Sequence, residues 1–406
     1  MNVLYLCHRI PYPPDKGDKI RSFHQIRRLG ATHDLHVACL VDDPLDRANV
    51  APLREYCRSI DAPYQPRSLG KVKALLALAG GAPLSVAAFD SPSLRRAIRD
   101  RIRSGWPDAI VVFSSAMAAY VPRDCTIPLL IDFVDADSDK WRLYAERSGI
   151  ATRWIYRIEA DRLGRFEREA AARADRSLFV SEMEARLLDL RPGDGRTFVL
   201  TLGVDTDFFH PRHAAPAPTP RAVFVGMMDY YPNVDAVTWY AQEVHPLVRA
   251  RVPDAAFDIV GRNPGPRVRS LAELPGVRVT GPVPDVRPYL GRGAVAVAPF
   301  RIARGIQSKV LEAMAMELPI VGTPNAFQGL HTTADDGVAS LASARALADE
   351  LVALFGDAAE RERRGRRARA YVQSRHRWET HDQELDAIVA GMMGARAAGE
   401  GPRTRP

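Results

Sequence analysis

The chain has 406 residues, enough for two or three domains at roughly 100–200 residues each, and its 46% hydrophobic and 26% charged content excludes whole-chain disorder, collagen and disulfide scaffolds. The 56 Lys and Arg against 49 Asp and Glu give a net charge of +7, which suits an anionic membrane or a phosphorylated small molecule. Without an RNP signature, zinc finger or helix-turn-helix, nucleic acid is not expected as a partner. Asn2 to Cys7 reads as a buried strand. A Pro- and Gly-bearing loop follows, then a helix from Lys19 to Leu29 in which Ile20, Phe23, Ile26 and Leu29 recur at helical spacing. Leu35 to Val41, Ala109 to Phe113 and Leu129 to Phe133 repeat the strand pattern, alternating with helical stretches such as Ser93 to Arg103. A mostly parallel α/β domain is expected. Ala151 to Ala174 reads as a long Arg- and Glu-rich helix, and Ser177 to Val180 as a strand running into Ser181, Glu182 and a further helix.

Two features bear on location. Cys7, Cys39, Cys57 and Cys125 form no C-x-x-C pair and Met1 leads straight into a strand, so a reduced cytoplasmic setting without a zinc site is expected. The uncharged stretch Ala74 to Phe89 is broken by Gly80, Gly81 and Pro83 and falls short of the about 20 residues a membrane span needs. Its Leu75, Leu76 and Leu78 fit two readings: buried core, or, with Lys71 and Lys73 ahead of them, a peripheral contact with the anionic inner face of the cytoplasmic membrane.

Between His210 and Pro220 lie four prolines and three alanines, the composition of a stiff connector. The expected layout is an N-terminal domain over 1–210, a linker over 211–220, a second α/β domain over 221–375, a helix over 376–396 packing back on the N-terminal domain, and a disordered tail over 397–406. In the second domain, strands are expected at Ala222 to Val225, Phe257 to Val260, Val277 to Thr280, Val295 to Ala298 and Pro319 to Gly322, with helices at Asp235 to Val252 and Lys309 to Met316. Two Rossmann-like halves facing each other across a cleft would bind ligands outside the carboxyl ends of their strands. Six arginines in Arg361 to Arg369 fit either a solvated helix face or a lipid- or phosphate-binding patch.

The stretch PFRIARGIQSKVLEAMAMELPIVGT from Pro299 to Thr323 reads as strand end, Gly-containing loop, helix and strand. A loop entering a helix offers backbone N–H groups and a positive dipole end, so Ile306, Gln307 and Ser308 suit an anion. Lys309 in the first turn is disfavoured by the dipole unless an anion compensates it, and Glu312 one turn on suits a ribose diol. An ordinary helix with a surface Lys and Glu fits the same residues.

This stretch resembles the donor-site signature of the GT-B glycosyltransferases of family 4, whose loop and helix carry two glutamates eight positions apart. Glu312 matches the second, which implies ribose binding. Arg304 stands at the position of the first, which implies contact with the donor sugar through a reversed charge. HRIPYPPDKGDKIRSFH, IDFVDADSDKW, FVSEMEARLL, GVDTDFF and VFVGMMDYYPNVDAV resemble, in order, a narrower group of bacterial sugar transferases associated with exosortase and exopolysaccharide systems. The resemblance implies an α/β GT-B fold, a nucleoside diphosphate sugar donor and retention at the anomeric carbon. It implies donor contacts from Gly226, Gly305, Ile306, Gln307 and Ser308. Where the family places basic residues after the first strand of its second domain, this chain has Met227 and Met228, so Arg262, Arg301 and Lys309 are the candidates for meeting the diphosphate charge.

The loop after the first strand carries Asp15, Lys16, Gly17, Asp18 and Lys19, and Gly17, Asp18 and Lys19 are expected to reach the donor. His8 is either a base or a hydrogen-bonded structural residue. Asp135, Asp137 and Asp139 are spaced almost as in a calcium loop, but Lys140 stands where Gly is required. Asp135 and Asp137 are expected to contact the acceptor or the donor sugar, or to cap the next helix. No metal and no cofactor are expected. The expected function is sugar transfer to a carbohydrate or lipid-linked acceptor, and two rivals fit the same chain: a nucleotide-sugar 2-epimerase, and a sugar-nucleotide-binding scaffold without turnover.

Overall fold

The computed structural model describes residues 1–14, 17–211 and 220–398. The chain forms two compact units, one of Met1–Thr201 together with the chain from His381, the other of Leu202–Thr380.

In the first unit, β1 (Asn2–Cys7), β2 (Asp34–Cys39), β3 (Ser59–Asp61), β4 (Ala109–Phe113), β5 (Leu129–Val134), β6 (Arg176–Phe179) and β7 (Thr197–Val199) form a parallel sheet in the order β3-β2-β1-β4-β5-β6-β7. Val3 pairs with Leu35 on one side and Ala109 on the other, so the strand order reverses between β1 and β4 and opens a crevice at their carboxyl ends. Helices cover both faces, which is why β1 is buried from Val3 to Cys7. Val3, Tyr5 and Cys7 pack with Phe23, Ile26 and Leu29 on one face, and Leu4 and Leu6 with Leu94 and Ile98 on the other. The helix Trp378–Ala397 sends Leu385, Ile388, Val389 and Met392 into the first of these cores.

One polar network crosses that core. Arg21, 1% exposed, donates from Nε to Asp132 at 2.8 Å and from its terminal nitrogens to Asp132 at 3.2 Å and to the carbonyls of Leu200 and Thr201 at 2.9 and 3.0 Å. Gln25 donates to the same carboxylate at 2.6 Å and accepts the Tyr5 hydroxyl at 2.8 Å. Asp132 also accepts the N–H of Val134, a β-branched residue held at φ +67°.

In the second unit, β8 (Arg221–Val225), β9 (Ala256–Val260), β10 (Val277–Val279), β11 (Val295–Ala298), β12 (Ile320–Gly322) and β13 (Val338–Ser340) form a parallel sheet ordered β10-β9-β8-β11-β12-β13, reversing between β8 and β11. The helix expected over Asp235 to Val252 starts earlier and is interrupted: Tyr231–Trp239 passes through a π-helical turn, Tyr240–Val244, into His245–Arg249. The His245 N–H reaches back to the Tyr240 carbonyl, just before Pro246, which has no N–H to offer.

The first unit closes at Thr201, earlier than the boundary read from the prolines. Residues 202–210 are held in the second unit by its last helices: the Val204 N–H donates to the His376 carbonyl at 2.7 Å, and Arg369 donates to the carbonyls of Thr206 and Phe209, both at 3.0 Å. Of the expected linker and tail, 212–219 and 399–406 lie outside the described residues.

Two open sequence readings are decided. Leu75 and Leu76 are 66% and 69% exposed on the helix Arg67–Gly80, so the buried-core reading fails for both. The arginine run forms the helix Ala358–Arg375 and is largely neutralised within its own unit: Arg363 and Arg364 pair with Glu360, Arg367 with Asp335, and Arg369 is buried against main-chain carbonyls.

Candidate active site

The second unit gathers polar groups at the carboxyl ends of β8 and β11. Gly226 follows β8, and Gly261, at φ +152°, would place a Cβ 1.7 Å from the Gly226 carbonyl oxygen, so these two loops touch backbone to backbone. The Met228 N–H donates to the Arg262 carbonyl at 2.8 Å across the same contact. The Arg262 side chain is exposed.

After β11 the chain runs through Arg301, Arg304 and Gly305, at φ +61°, into the helix Ser308–Ala315. Gln307 occupies the cap position but makes no side-chain cap, leaving this N-terminus open to an external anion. Its amide instead donates to the Arg304 carbonyl at 2.8 Å. Burial pulls the Lys309 ammonium down to about 8 against the opposing pull of Glu312, and the ammonium lies 5.1 Å over the Phe300 ring. Burial pushes the Glu312 carboxyl up, while Lys309 and the Ser308 hydroxyl hold it back. The two half-buried charges influence each other without closing a salt bridge, so both are short of compensation. Arg301 is tied to Asp235, with its Nε at 3.0 Å from the carboxylate, so its charge is already shared. Arg304 lies 3.4 Å from the Gln328 amide oxygen.

In the first unit, His8 sits past β1, its Nε2 3.4 Å from Asp18, with Phe89 at its edge and Phe113 stacked at 6.1 Å. His8 and Arg9 hold the Asp18 carboxyl well below its usual range against the burial that would raise it. Gly17 opens the helix Gly17–Thr32, and a Cβ there would meet nothing within 4 Å. Lys19, expected at the donor, is 5% exposed, and its ammonium rests 2.9 Å from Asp46 in a partly buried pairing.

Asp135 follows the strained Val134. Burial, with the Glu184 and Asp137 carboxylates beside it, pushes its carboxyl up to about 8, and its Oδ1 has no partner among the described residues. Burial and the neighbouring carboxylates thus favour its protonated, hydrogen-bond-donating form. Asp137 pairs with Lys140, and Asp139 lies 3.4 Å from Arg142, both in the first turn of the helix Asp137–Arg147. Neither caps it, since the cap position is Ala136 without a side-chain bond. No group of three or more His, Cys, Asp or Glu among the described residues is arranged to hold a metal ion.

Two carboxylates were missed. Glu184, fully buried, accepts the Ala136 N–H at 2.8 Å and so holds the loop that carries Asp135. Its signal was the S-x-x-E spacing from Ser181, which caps this helix by accepting the Glu184 N–H at 3.4 Å. Glu167 accepts the Ser138 N–H and the Ser115 hydroxyl, both at 3.3 Å, and burial pushes its carboxyl up to about 8. Nothing in its Arg/Glu-rich helix distinguishes it.

Two parallel sheets, each reversing its strand order beside a loop rich in polar side chains, define the GT-B architecture, and solved structures agree. Sucrose-phosphate synthase from Thermosynechococcus elongatus superposes with a TM-score of 0.73 at 16% identity, covering 97% of this chain and 100% of that one. Anabaena HepE, solved with UDP-glucose, gives 0.65 at 15% identity over 96% and 99%. WaaG, a glycosyltransferase involved in lipopolysaccharide biosynthesis, gives 0.63 at 15% identity over 95% and 99%. Residues 219–357, about a third of the chain, match the family described as "Glycosyl transferases group 1". A comparison with curated protein sequences returns no match. The chain has the GT-B fold, and its second unit matches the group 1 glycosyl transferase family over residues 219–357.

Proposed function

We propose that this glycosyltransferase moves a sugar from a nucleoside diphosphate sugar to a carbohydrate or lipid-linked carbohydrate acceptor, with retention at the anomeric carbon, on the cytoplasmic side of a bacterial membrane and in exopolysaccharide biosynthesis. The observation that carries it is the Lys309–Glu312 pair at the uncapped start of Ser308–Ala315, inside the matched segment. The open N–H groups and Lys309 receive the diphosphate, Glu312 accepts from the ribose hydroxyls, and Arg304 faces the sugar. HepE, solved with UDP and with UDP-glucose, and WaaG, named for lipopolysaccharide synthesis, support the donor class and the acceptor class. Sequence motifs shared with the exosortase-associated transferases support the pathway.

Transfer breaks the bond from the anomeric carbon to the diphosphate, and the leaving charge is met by amides and Lys309, the electrostatic effect that weighs most in such sites. Asp135 in its protonated form donates to an acceptor or sugar oxygen. On the first unit, His8, whose Nε2 lies 3.4 Å from Asp18, is the candidate to receive the proton that the acceptor hydroxyl gives up.

Transfer from labelled nucleoside diphosphate sugars to bacterial lipid extracts tests this. Epimer formation from donor alone, or tight donor binding with neither transfer nor hydrolysis, would overturn it. EDTA is expected to leave turnover intact, because backbone N–H groups and a lysine serve the diphosphate in place of a carboxylate-held metal. Loss of transfer that magnesium restores would contradict that. The Glu312 role predicts that ribonucleotides bind more tightly than their 2′-deoxy counterparts, and calorimetry showing equal affinities would remove Glu312 from the site.

A further inference from the structure

The helix Arg67–Gly80 is built inside out. Its inward face consists of small residues: Ala77 is buried, and a Cβ on Gly70 would lie 2.9 Å from the Ala88 carbonyl oxygen. Its outward face carries Leu69, Val72, Leu75 and Leu76, exposed by 43%, 53%, 66% and 69%. The orientation is fixed, since Arg162 on the long helix Ile150–Arg173 donates to the Ala77 carbonyl at 2.8 Å and to the Leu78 carbonyl at 3.0 Å. At about 3.6 residues per turn, the four apolar side chains share one sector, with Lys71 on one side of it and Lys73 on the other. The helix bears no acidic residue. Lys71 is exposed with no acidic partner among the described residues, and Lys73 donates to two neutral acceptors, the Gln65 amide oxygen at 3.0 Å and the Asp90 carbonyl at 2.5 Å, so among the described residues neither is paired with a carboxylate.

We infer that the outward face of Arg67–Gly80 docks in the headgroup layer of an anionic bilayer, its leucines entering the acyl boundary and its lysines meeting lipid phosphates. The charge pattern selects this occupant. Cations flanking an apolar stripe match a surface that is apolar below and anionic at its rim, whereas a second copy of the face would set lysine against lysine. Among the described residues no helix is long and apolar enough to cross a membrane, so the contact is peripheral. It adds a partner to the proposed transferase without depending on the donor reading.

The test is flotation of the full chain with phosphatidylglycerol-containing vesicles and with pure phosphatidylcholine vesicles, at low and high salt. Binding to the anionic vesicles should be about tenfold stronger at low salt and should weaken with salt. Lys71→Glu should lower it about tenfold, and Leu75→Gln with Leu76→Gln should abolish it at every salt concentration. Both positions are exposed, so the double variant should keep the wild-type unfolding midpoint and nucleotide affinity, which separates lost docking from lost folding or a failed donor site. Absence of flotation at low salt, or flotation undiminished in the double variant, would overturn the inference. So would a concentration-dependent dimer that the double variant dissolves, which would give the face to a second copy.

Discussion

Asp132→Ala is expected to destabilise the first unit by about 3–5 kcal/mol, the cost of leaving a buried charge without its partner. Arg21 is 1% exposed and Asp132 fully buried, and the guanidinium, the Gln25 amide and the Val134 N–H all converge on that carboxylate. Arg21→Met together with Asp132→Leu removes both charges, so it should recover most of the loss. Hydrogen exchange at the amides of β1 and β5 is the measurement, because a two-unit chain has no single unfolding free energy. Protection in Asp132→Ala equal to wild type would show that water screens Arg21. The same carboxylate holds Val134 at positive φ, a conformation costing about 1–3 kcal/mol that the next residue inherits as position. Asp132→Asn should therefore cost less stability than alanine yet still disturb transfer through Asp135.

Lys309→Ala should weaken binding of the free nucleoside diphosphate about 10- to 100-fold, as expected for a charge-assisted contact worth about 1.5–3 kcal/mol. The lysine sits where burial and the helix dipole both oppose its charge, and burial has pulled it down to about 8. A bound diphosphate favours the charged form, so the complex takes up a proton once the free ammonium has begun to deprotonate. Affinity should accordingly be greatest below about pH 8 and decline above it, by up to about tenfold per pH unit. Lys309→Arg should flatten the decline. Calorimetry over this range decides it: a pH-independent affinity, or one unchanged by alanine, removes Lys309 from the site.

How far the sequence revealed the fold depended on burial. β1, β4 and β11 are covered on both faces and read as apolar runs, after Asn2 in the case of β1, so Asn2–Cys7, Ala109–Phe113 and Val295–Ala298 were legible to the residue. β3, β7 and β13 are three-residue edge strands whose patterns carry no period, and they were invisible. The loop leading into the helix Ser308–Ala315 was legible because its pattern is local, one loop and one helix turn. Arg21 was not: in a helix of mixed polarity an inward arginine looks like an outward one, and only its partner in β5, 111 positions away, reveals it. The pairing of Lys19 was hidden for the same reason, its partner Asp46 lying on the separate 3-10 turn Pro44–Asn49. Leu75 and Leu76 defeated periodicity in the opposite sense, since the small residues of that helix face inward.

The return of the chain at His381 has a practical consequence for dissecting the protein. Leu385, Ile388, Val389 and Met392 complete the core of the first unit, so a fragment ending at Thr201 would expose an apolar trough and aggregate. The segment Leu202–Thr380, by contrast, enters and leaves as one continuous stretch. Chimaeras that exchange donor preference between such transferases are therefore best built as cassette replacements with two junctions, leaving both ends of the host chain in place, and a single-crossover fusion would split the very core it is meant to preserve.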